Sequence, residues 1–307
     1  MKLVNVGTVA FDTIETPFGK ADKVIGGAAT YISYAASFYT GQIGLVSVIG
    51  DDWPEEEIKN LNDRGVDTGG LQIKTGEKSF FWAGKYHQDL NSRETLTTDL
   101  NVLADFQPKL PEAYRKAKFL MLGNLTPEVQ LSVMDQMEEK PLLTAMDTMN
   151  FWIDVAPDAL WEAIKRVDVL IINDEEARQL SGEYALVKAA EKILDHGLKY
   201  LVIKKGEHGA LLFSDHHVFF APALPLAEVF DPTGAGDTFA GGFMGYLADT
   251  NDISVENMKR AVIHGSAMAS FCVEEFSLDK LKKVNEQLLT NRLKQFVDLV
   301  NFEIDLT

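Results

Sequence analysis

Residues 231–243 read DPTGAGDTFAGGF and place a turn, a glycine-flanked backbone and one carboxylate at the start of a helix-compatible stretch. Pro232 fixes φ, while Gly234 and Gly236 permit backbone angles and close approaches that side chains forbid. With residues 235–247 continuing as helix, the N–H groups of Gly234, Ala235 and Gly236 point out of its N-terminus, where the macrodipole favours an anion. Asp237 suits that dipole but repels a phosphate resting on the same amides. A base beside an anion hole resolves the conflict: as a phosphoryl group crosses residues 234–236 to an acceptor hydroxyl, Asp237 takes the hydroxyl's proton. The same residues also read as an Asp/Thr-rich helix cap with small residues for close packing.

Two common glycine motifs are excluded. The sequence has no GxxxxGK[ST], and GAGDTF does not complete GxGxxG because Phe239 occupies the last glycine position. The stretch does resemble the D-T-x-G-A-G-D signature of the ribokinase-like (PfkB) carbohydrate kinases, with Pro232 in place of the common Thr. That resemblance implies a three-layer α/β/α fold with a mainly parallel central sheet and a small β lid. It also implies transfer of the γ-phosphoryl of ATP to an alcohol group of a small sugar. In that frame Asp237 is the base, the amides of Gly234, Ala235 and Gly236 stabilise the moving charge, and Thr233 joins Gly234 and Gly236 beside the nucleotide.

Further positions follow the family in order. Residues 26–36, GGAATYISYAA, resemble its N-terminal signature, in which the backbones of Gly26 and Gly27 approach the acceptor's hydroxyls. Tyr31 stands where the family commonly has Asn, so an aromatic wall replaces a polar contact. Asp12 falls just beyond the first strand, at the carboxyl edge where open α/β sheets place ligands; in the family an Asp here accepts hydrogen bonds from two acceptor hydroxyls. Asn173 and Glu176 resemble the N-x-x-E element that holds Mg²⁺ through its water shell, and hard oxygen ligands suit that ion. On the residues alone the pair is also an ordinary helix cap. Lys204, Lys205 and Gly206 end a strand that borders nucleotide phosphates in related kinases, and period-two alternation lets only one lysine face them. His264 is either an adenine neighbour, as a His or Asn is in some relatives, or a buried packing residue. Asp231 corresponds to a monovalent-cation site of several relatives, which makes K⁺ a further candidate.

These residues need a scaffold, and the chain alternates strand with helix. Short apolar runs at residues 3–7, 43–49, 119–122, 142–145, 167–172 and 200–204 predict buried parallel strands. Helical apolar spacing covers 28–38, 55–64, 126–137, 158–166 and 185–195, and right-handed crossovers then put helices on both faces of the sheet. Residues 211–213 and 218–220 predict a hairpin whose turn carries His216 and His217, metal ligands or simply an exposed turn. Residues 71–97, rich in aromatic and β-branched side chains, predict an antiparallel excursion joined by residues 13–25, a lid that would exclude water from the transferring group. Within it Phe81, Trp82 and Tyr86 are available to stack on a substrate, to pair with another subunit, or to form a small core; Trp82 is taken as the substrate contact. Residues 278–300 predict one amphipathic helix.

Composition bounds the reading. The 307 residues suit one kinase domain, 1–307, with the lid as an excursion. A net charge of −17, from 29 Lys+Arg and 46 Asp+Glu, disfavours nucleic acid and anionic membrane as partners. Cys272 alone excludes an internal disulfide, and the first residues lack a long apolar leader, so a cytoplasmic location is expected. The expected partners are a small polyol and a nucleotide, with a homodimer as a further option. A sugar is the default acceptor. A nucleoside is the alternative, prompted by the FFW segment, by Tyr31, and by Trp152 where DTMNFW departs from the D-P-N-x-R of many sugar kinases. A ligand sensor that kept the fold without the chemistry is the reading from another class.

Overall fold

A computed structural model of the protein describes residues 1–215, 217–301 and 303. His216, expected in the hairpin turn, lies outside the described residues. In chain order, β1 (Leu3–Val6) leads into β2 (Ala10–Thr16) and β3 (Gly19–Gly26), followed by β4 (Ile43–Gly50) and β5 (Val66–Lys74). A hairpin of β6 (Phe80–Tyr86) and β7 (Arg93–Asp99) comes next. Then β8 (Phe119–Leu122), β9 (Leu143–Asp147), β10 (Val169–Asn173) and β11 (Tyr200–Lys204) alternate with helices, before β12 (Ala210–Ser214) and β13 (His217–Ala221).

Nine strands form the main sheet in the order β13-β12-β11-β10-β9-β8-β1-β4-β5. Every pairing from β11 to β5 is parallel, so those strands end on one edge; β12 and β13 add an antiparallel margin. Alternate side chains of one strand feed opposite cores. Leu3, Phe119 and Met121 pack with Ile32, Phe243 and Met268, whereas Val4, Leu120 and Leu122 pack with Val133, Leu160 and Ile193. Helices Ala28–Ala36, Ala235–Thr250 and Val255–Cys272 therefore cover one face, and Pro127–Asp135, Pro157–Ile164 and Leu186–Leu194 cover the other. This is the expected three-layer arrangement.

The smaller sheet runs β3-β2-β6-β7. Its boundaries correct the expectation in two places. Residues 71–74 belong to β5 in the main sheet, with Leu71 opposite Ser47, so the second part of the small sheet begins at Phe80. The first part begins at Ala10, so Asp12 sits within β2 rather than in a loop after β1. The excursion is also mixed rather than wholly antiparallel, because β2 and β6 run parallel. β5 is hard to read because it contains VDTGG. A Cβ on its Gly70 would come 2.6 Å from the Leu45 carbonyl oxygen, so this glycine reflects crowding against β4 instead of a turn. The C-terminal amphipathic stretch divides into Asp279–Lys283 and Glu286–Val300. Asn285 causes the break, its side chain capping the second helix by accepting from the Leu288 N–H at 3.0 Å. Among the described residues no helix is long and apolar enough to cross a membrane.

Candidate active site

The carboxyl edge of the parallel sheet delivers the first group of site residues. Asp147 ends β9, Asn173 ends β10 and Lys204 ends β11, and register places Asp147 beside Ile171 and Asn173 beside Lys204. Helix Ala235–Thr250 begins opposite them. Its N-cap is Gly234 at φ 73°, ψ 0°, a left-handed conformation suited to glycine. A side chain there would also strike Tyr31, whose ring lies 2.4 Å from the position of the missing Cβ. Tyr31 is thus buried beneath the glycine turn, 1% exposed, and is not the aromatic wall of an acceptor site that the sequence suggested. Its hydroxyl has no hydrogen-bond partner among the described residues.

Of the three amides expected to cradle a phosphoryl group, that of Ala235 is diverted. The tight turn at Pro232 and Gly234 brings the Pro232 carbonyl under it, and the Ala235 N–H donates there at 3.2 Å. Of the three expected amides, those of Gly234 and Gly236 are not diverted to Pro232. Lys204 rather than Lys205 faces this turn, its Nζ lying 2.7 Å from where a Cβ on Gly236 would stand.

Asp237 is half-buried in the first turn. Burial raises its carboxyl, while Lys204, Arg93 and a hydrogen bond from Asp147 oppose that shift. Asp147 is 5% exposed, and burial and the neighbouring Asp237 drive it well above the ordinary carboxyl range. The two carboxyls interact and titrate as a pair: burial raises both, and their mutual hydrogen bond raises Asp147 further while opposing the rise of Asp237. Nothing in the motif marked Asp147. The available signal was an Asp terminating a buried parallel strand.

The second group comes from the small sheet and the glycine pair. Asp12, 5% exposed, lies over Gly26 so closely that a Cβ there would stand 1.9 Å from Oδ2. The Gly27 N–H donates to it, yet burial, reinforced by Asp231 and Asp237, raises Asp12 to about 8. Trp82 is opposite Asp12 in the β2–β6 register, and Trp82, Gly84 and Tyr86 alternate on that same face. The Trp82 ring covers Gly84, and its indole N–H donates to Thr95 Oγ1 at 3.4 Å. Thr233 donates to the Tyr86 hydroxyl at 3.2 Å, tying the small sheet to the glycine turn.

The remaining expectations divide. Asn173 and Glu176 form a full capping box: Asn173 Oδ1 accepts from the Glu176 N–H and Glu176 Oε2 from the Asn173 N–H, each at 2.8 Å. Burial raises Glu176 while Lys204, the Asn173 amide and Arg93 counter it. The box leaves Glu176 Oε1 outside it, and Asp147 Oδ1 is buried without a hydrogen-bond partner among the described residues. Such hard oxygens fit a divalent cation. Among the described residues no group of three or more His, Cys, Asp or Glu is placed to hold a metal, so a metal here would also need oxygens from its ligand or from water.

Asp231 is fully buried and already engaged. Its carboxylate accepts from the Thr233 N–H at 2.8 Å and the Ser277 N–H at 3.1 Å, which gives the side chain a structural task beside any cation. His264 stands with Tyr39 and Tyr246 rather than with residues 231–237. Its Nδ1 is 3.1 Å from the Tyr39 hydroxyl, its ring stacks on Tyr246 at 4.0 Å, and burial lowers it to about 4. Gly206 adopts φ 53°, and the position of its missing Cβ is 2.7 Å from Asn91 Oδ1 in the β6–β7 turn. Trp152 donates its indole N–H to Asn124 at 2.9 Å.

The model of the pfkB family of carbohydrate kinases matches residues 7–283. The chain belongs to that family. Among its pfkB relatives, cytidine kinase of Thermococcus kodakarensis is 32% identical over 248 residues, spanning 80% of this chain and 87% of that protein. Deoxyribokinase of Salmonella typhi is 25% identical over 291 residues, spanning 91% and 92%. The crystal structure of Methanocaldococcus jannaschii nucleoside kinase, described as an archaeal member of the ribokinase family, matches with a TM-score of 0.75 at 20% identity over 96% of this chain and 99% of that one. The fold is ribokinase-like, and this pfkB-family enzyme is a phosphotransferase with an alcohol group as acceptor. The reading as a sensor without chemistry is set aside.

Proposed function

We propose that the enzyme transfers the γ-phosphoryl group of ATP to a hydroxyl of a nucleoside. The observation that carries this reading is the pairing, on one face of the small sheet, of a hydroxyl-binding carboxylate, Asp12, with an aromatic plate, Trp82, on the face whose Tyr86 meets Thr233 of the glycine turn. A sugar needs the carboxylate; a base attached to that sugar gains from the indole as well. The 32% identity to a cytidine kinase supports the same choice.

In this account Asp12 and the Gly26–Gly27 backbone orient the acceptor. Asp237, whose ionised form is favoured by Lys204 and by its hydrogen bond with Asp147, removes the hydroxyl proton as the oxygen attacks. The amides of Gly234 and Gly236, with Lys204 beside them, meet the charge on the phosphoryl oxygens. Lys204 and Gly206 border the nucleotide phosphates from the end of β11, with Thr233 beside them. Asn173 and Glu176 would hold Mg²⁺ through water, and that ion when bound neutralises phosphate charge. The β2–β3 and β6–β7 ribbons serve as a lid that keeps water from the transferring group.

A simple sugar remains the second reading, favoured by the 25% identity to deoxyribokinase over 91% of the chain. ADP release measured across cytidine, other ribonucleosides, ribose, deoxyribose and fructose separates them. The expected result is a kcat/KM for at least one nucleoside well above that of every free sugar. Turnover of a free sugar with no nucleoside turnover would overturn the nucleoside assignment.

A further inference from the structure

The small sheet is joined to the rest of the molecule by four chain crossings, and they gather in two pairs. Residues 7–9 lead from β1 into β2, and Gly26–Gly27 lead from β3 into helix Ala28–Ala36. Thr8 fastens that pair: its hydroxyl accepts from the Ala28 N–H and its carbonyl from the Ala29 N–H, both at 2.9 Å. Residues 75–79 lead from β5 into β6, and Leu100 leads out of β7. Ser79 fastens this second pair.

Ser79 is 1% exposed, and each of its polar groups has a partner. Its Oγ accepts from the Gly50 N–H, at the end of β4, at 3.0 Å and donates to Asp52 Oδ1 at 2.7 Å. Its N–H donates to the same carboxylate oxygen at 2.8 Å. Its carbonyl accepts from Asn101 Nδ2 at 2.9 Å, and Asn101, at φ 48°, takes a left-handed conformation that asparagine tolerates. A Cβ on Gly50 would stand 2.2 Å from the Glu77 carbonyl oxygen, so the entering chain lies directly on the end of β4. Lys23 of β3 approaches Asp52 Oδ2 at 3.9 Å, an exposed pair that adds little. One buried serine and one carboxylate therefore hold both the entry and the exit of the β6–β7 hairpin against the main sheet. Phe80, the next residue, opens β6, and Trp82 follows it opposite Asp12.

We propose that Asp52 and Ser79 are positioning residues: they fix where β6 leaves the main sheet and, through it, where the Asp12–Trp82 face stands relative to Asp237. The proposal rests on the kinase reading above, with that face as the acceptor site and the small sheet as the lid. A carboxylate that takes both the N–H and the O–H of one residue sets its distance and its angle together, and charge-assisted bonds of this kind are the stronger ones. Displacing a reacting group by about 1 Å can cost on the order of 10²-fold in rate. A small sheet released at Ser79 misplaces the acceptor and admits water, which then takes the γ-phosphoryl group in the acceptor's place. The ends of β9, β10 and β11 lie across β8 and β1 from β4, so the nucleotide side keeps its geometry.

The test compares wild type with Asp52→Ala, Asp52→Asn and Ser79→Ala, measuring ADP release with the best acceptor of the panel and without any acceptor. Asp52→Ala is expected to lower kcat/KM for the acceptor by about 10- to 10²-fold, mainly through KM, with KM for ATP within about twofold of wild type. Its acceptor-free ADP release, as a fraction of coupled turnover, should rise at least about threefold. Asp52→Asn keeps an oxygen that accepts from both Ser79 donors while losing the charge that faces Lys23, so it should stay within about twofold of wild type in every one of these measures. Ser79→Ala should repeat the Asp52→Ala pattern below its melting transition, which the unpartnered Gly50 N–H lowers. Wild-type acceptor kinetics in Asp52→Ala, equal losses toward both substrates, or an Asp52→Asn as impaired as Asp52→Ala would overturn the positioning role and leave the kinase assignment standing. A wild type that transfers phosphoryl to no acceptor would remove both.

Discussion

Burial acts differently on Asp237 and Asp12, the two carboxylates proposed to meet the acceptor. Asp237 has Lys204, Arg93 and its hydrogen bond with Asp147 set against burial, whereas Asp12 has one amide against burial and two like charges. Free enzyme therefore carries Asp12 largely protonated at neutral pH, since its carboxyl is raised to about 8. Hydroxyl donors of an acceptor favour the carboxylate, so binding below about pH 8 should release a proton, and affinity should rise by up to about tenfold per pH unit before levelling above that value. The sign for stability is opposite. A raised acid favours the fold below its unfolded pKa and loses that contribution as pH rises through about 8, so Asp12→Asn should raise the melting temperature most at alkaline pH while weakening acceptor binding. Calorimetry in buffers of different ionisation enthalpy checks the proton count, and acceptor binding without proton release at neutral pH would contradict it. Asp12, Asp237 and the Asn173–Glu176 pair were legible because each sits in a short local pattern. Asp147 was not, because it meets Asp237 only when distant strands and a helix come together. Lys204 was separable from Lys205 only through its approach to Gly236.

Elements were legible where the physical signal was local. The buried strands β1, β4, β8 and β11 follow from apolar runs bounded by turn residues, and the paired cores follow from their alternation. β5 escaped because its glycines reflect crowding rather than a turn, and this shifted the boundary of the small sheet from Leu71 to Phe80. The β3-to-helix turn at Gly26–Gly27 offers a test at this scale. A methyl on Gly26 would occupy the place of the Asp12 carboxylate, which must move. Gly26→Ala should therefore raise KM for the acceptor by at least about tenfold, about 1.4 kcal/mol of lost contact, with nucleotide affinity close to wild type. Steady-state kinetics with each substrate varied checks this, and equal effects on both substrates would show that the turn does not act through Asp12.

At the scale of the molecule, a chain of net charge −17 assembles a site for a polyanion. It does so by local means: a glycine turn with its helix N-terminus, and Lys204 at a strand end. The main sheet holds the nucleotide-side residues on one rigid edge, while the small sheet supplies Asp12, Trp82 and Tyr86 from the other direction. Three-layer architecture was legible in the alternation of strands and helices. The choice between sugar and nucleoside was not, since it turns on which aromatic side chain is free to meet the acceptor. Tyr31 is buried under Gly234, and Trp82 shares the Asp12 face. The central claim is that Asp237 takes the acceptor's proton at the glycine turn. Single-turnover phosphoryl transfer by Asp237→Asn, with nucleotide binding measured in parallel, tests it most directly. The account predicts a rate lowered by about 10²–10⁴-fold with nucleotide affinity nearly intact. Transfer at the wild-type rate would contradict it.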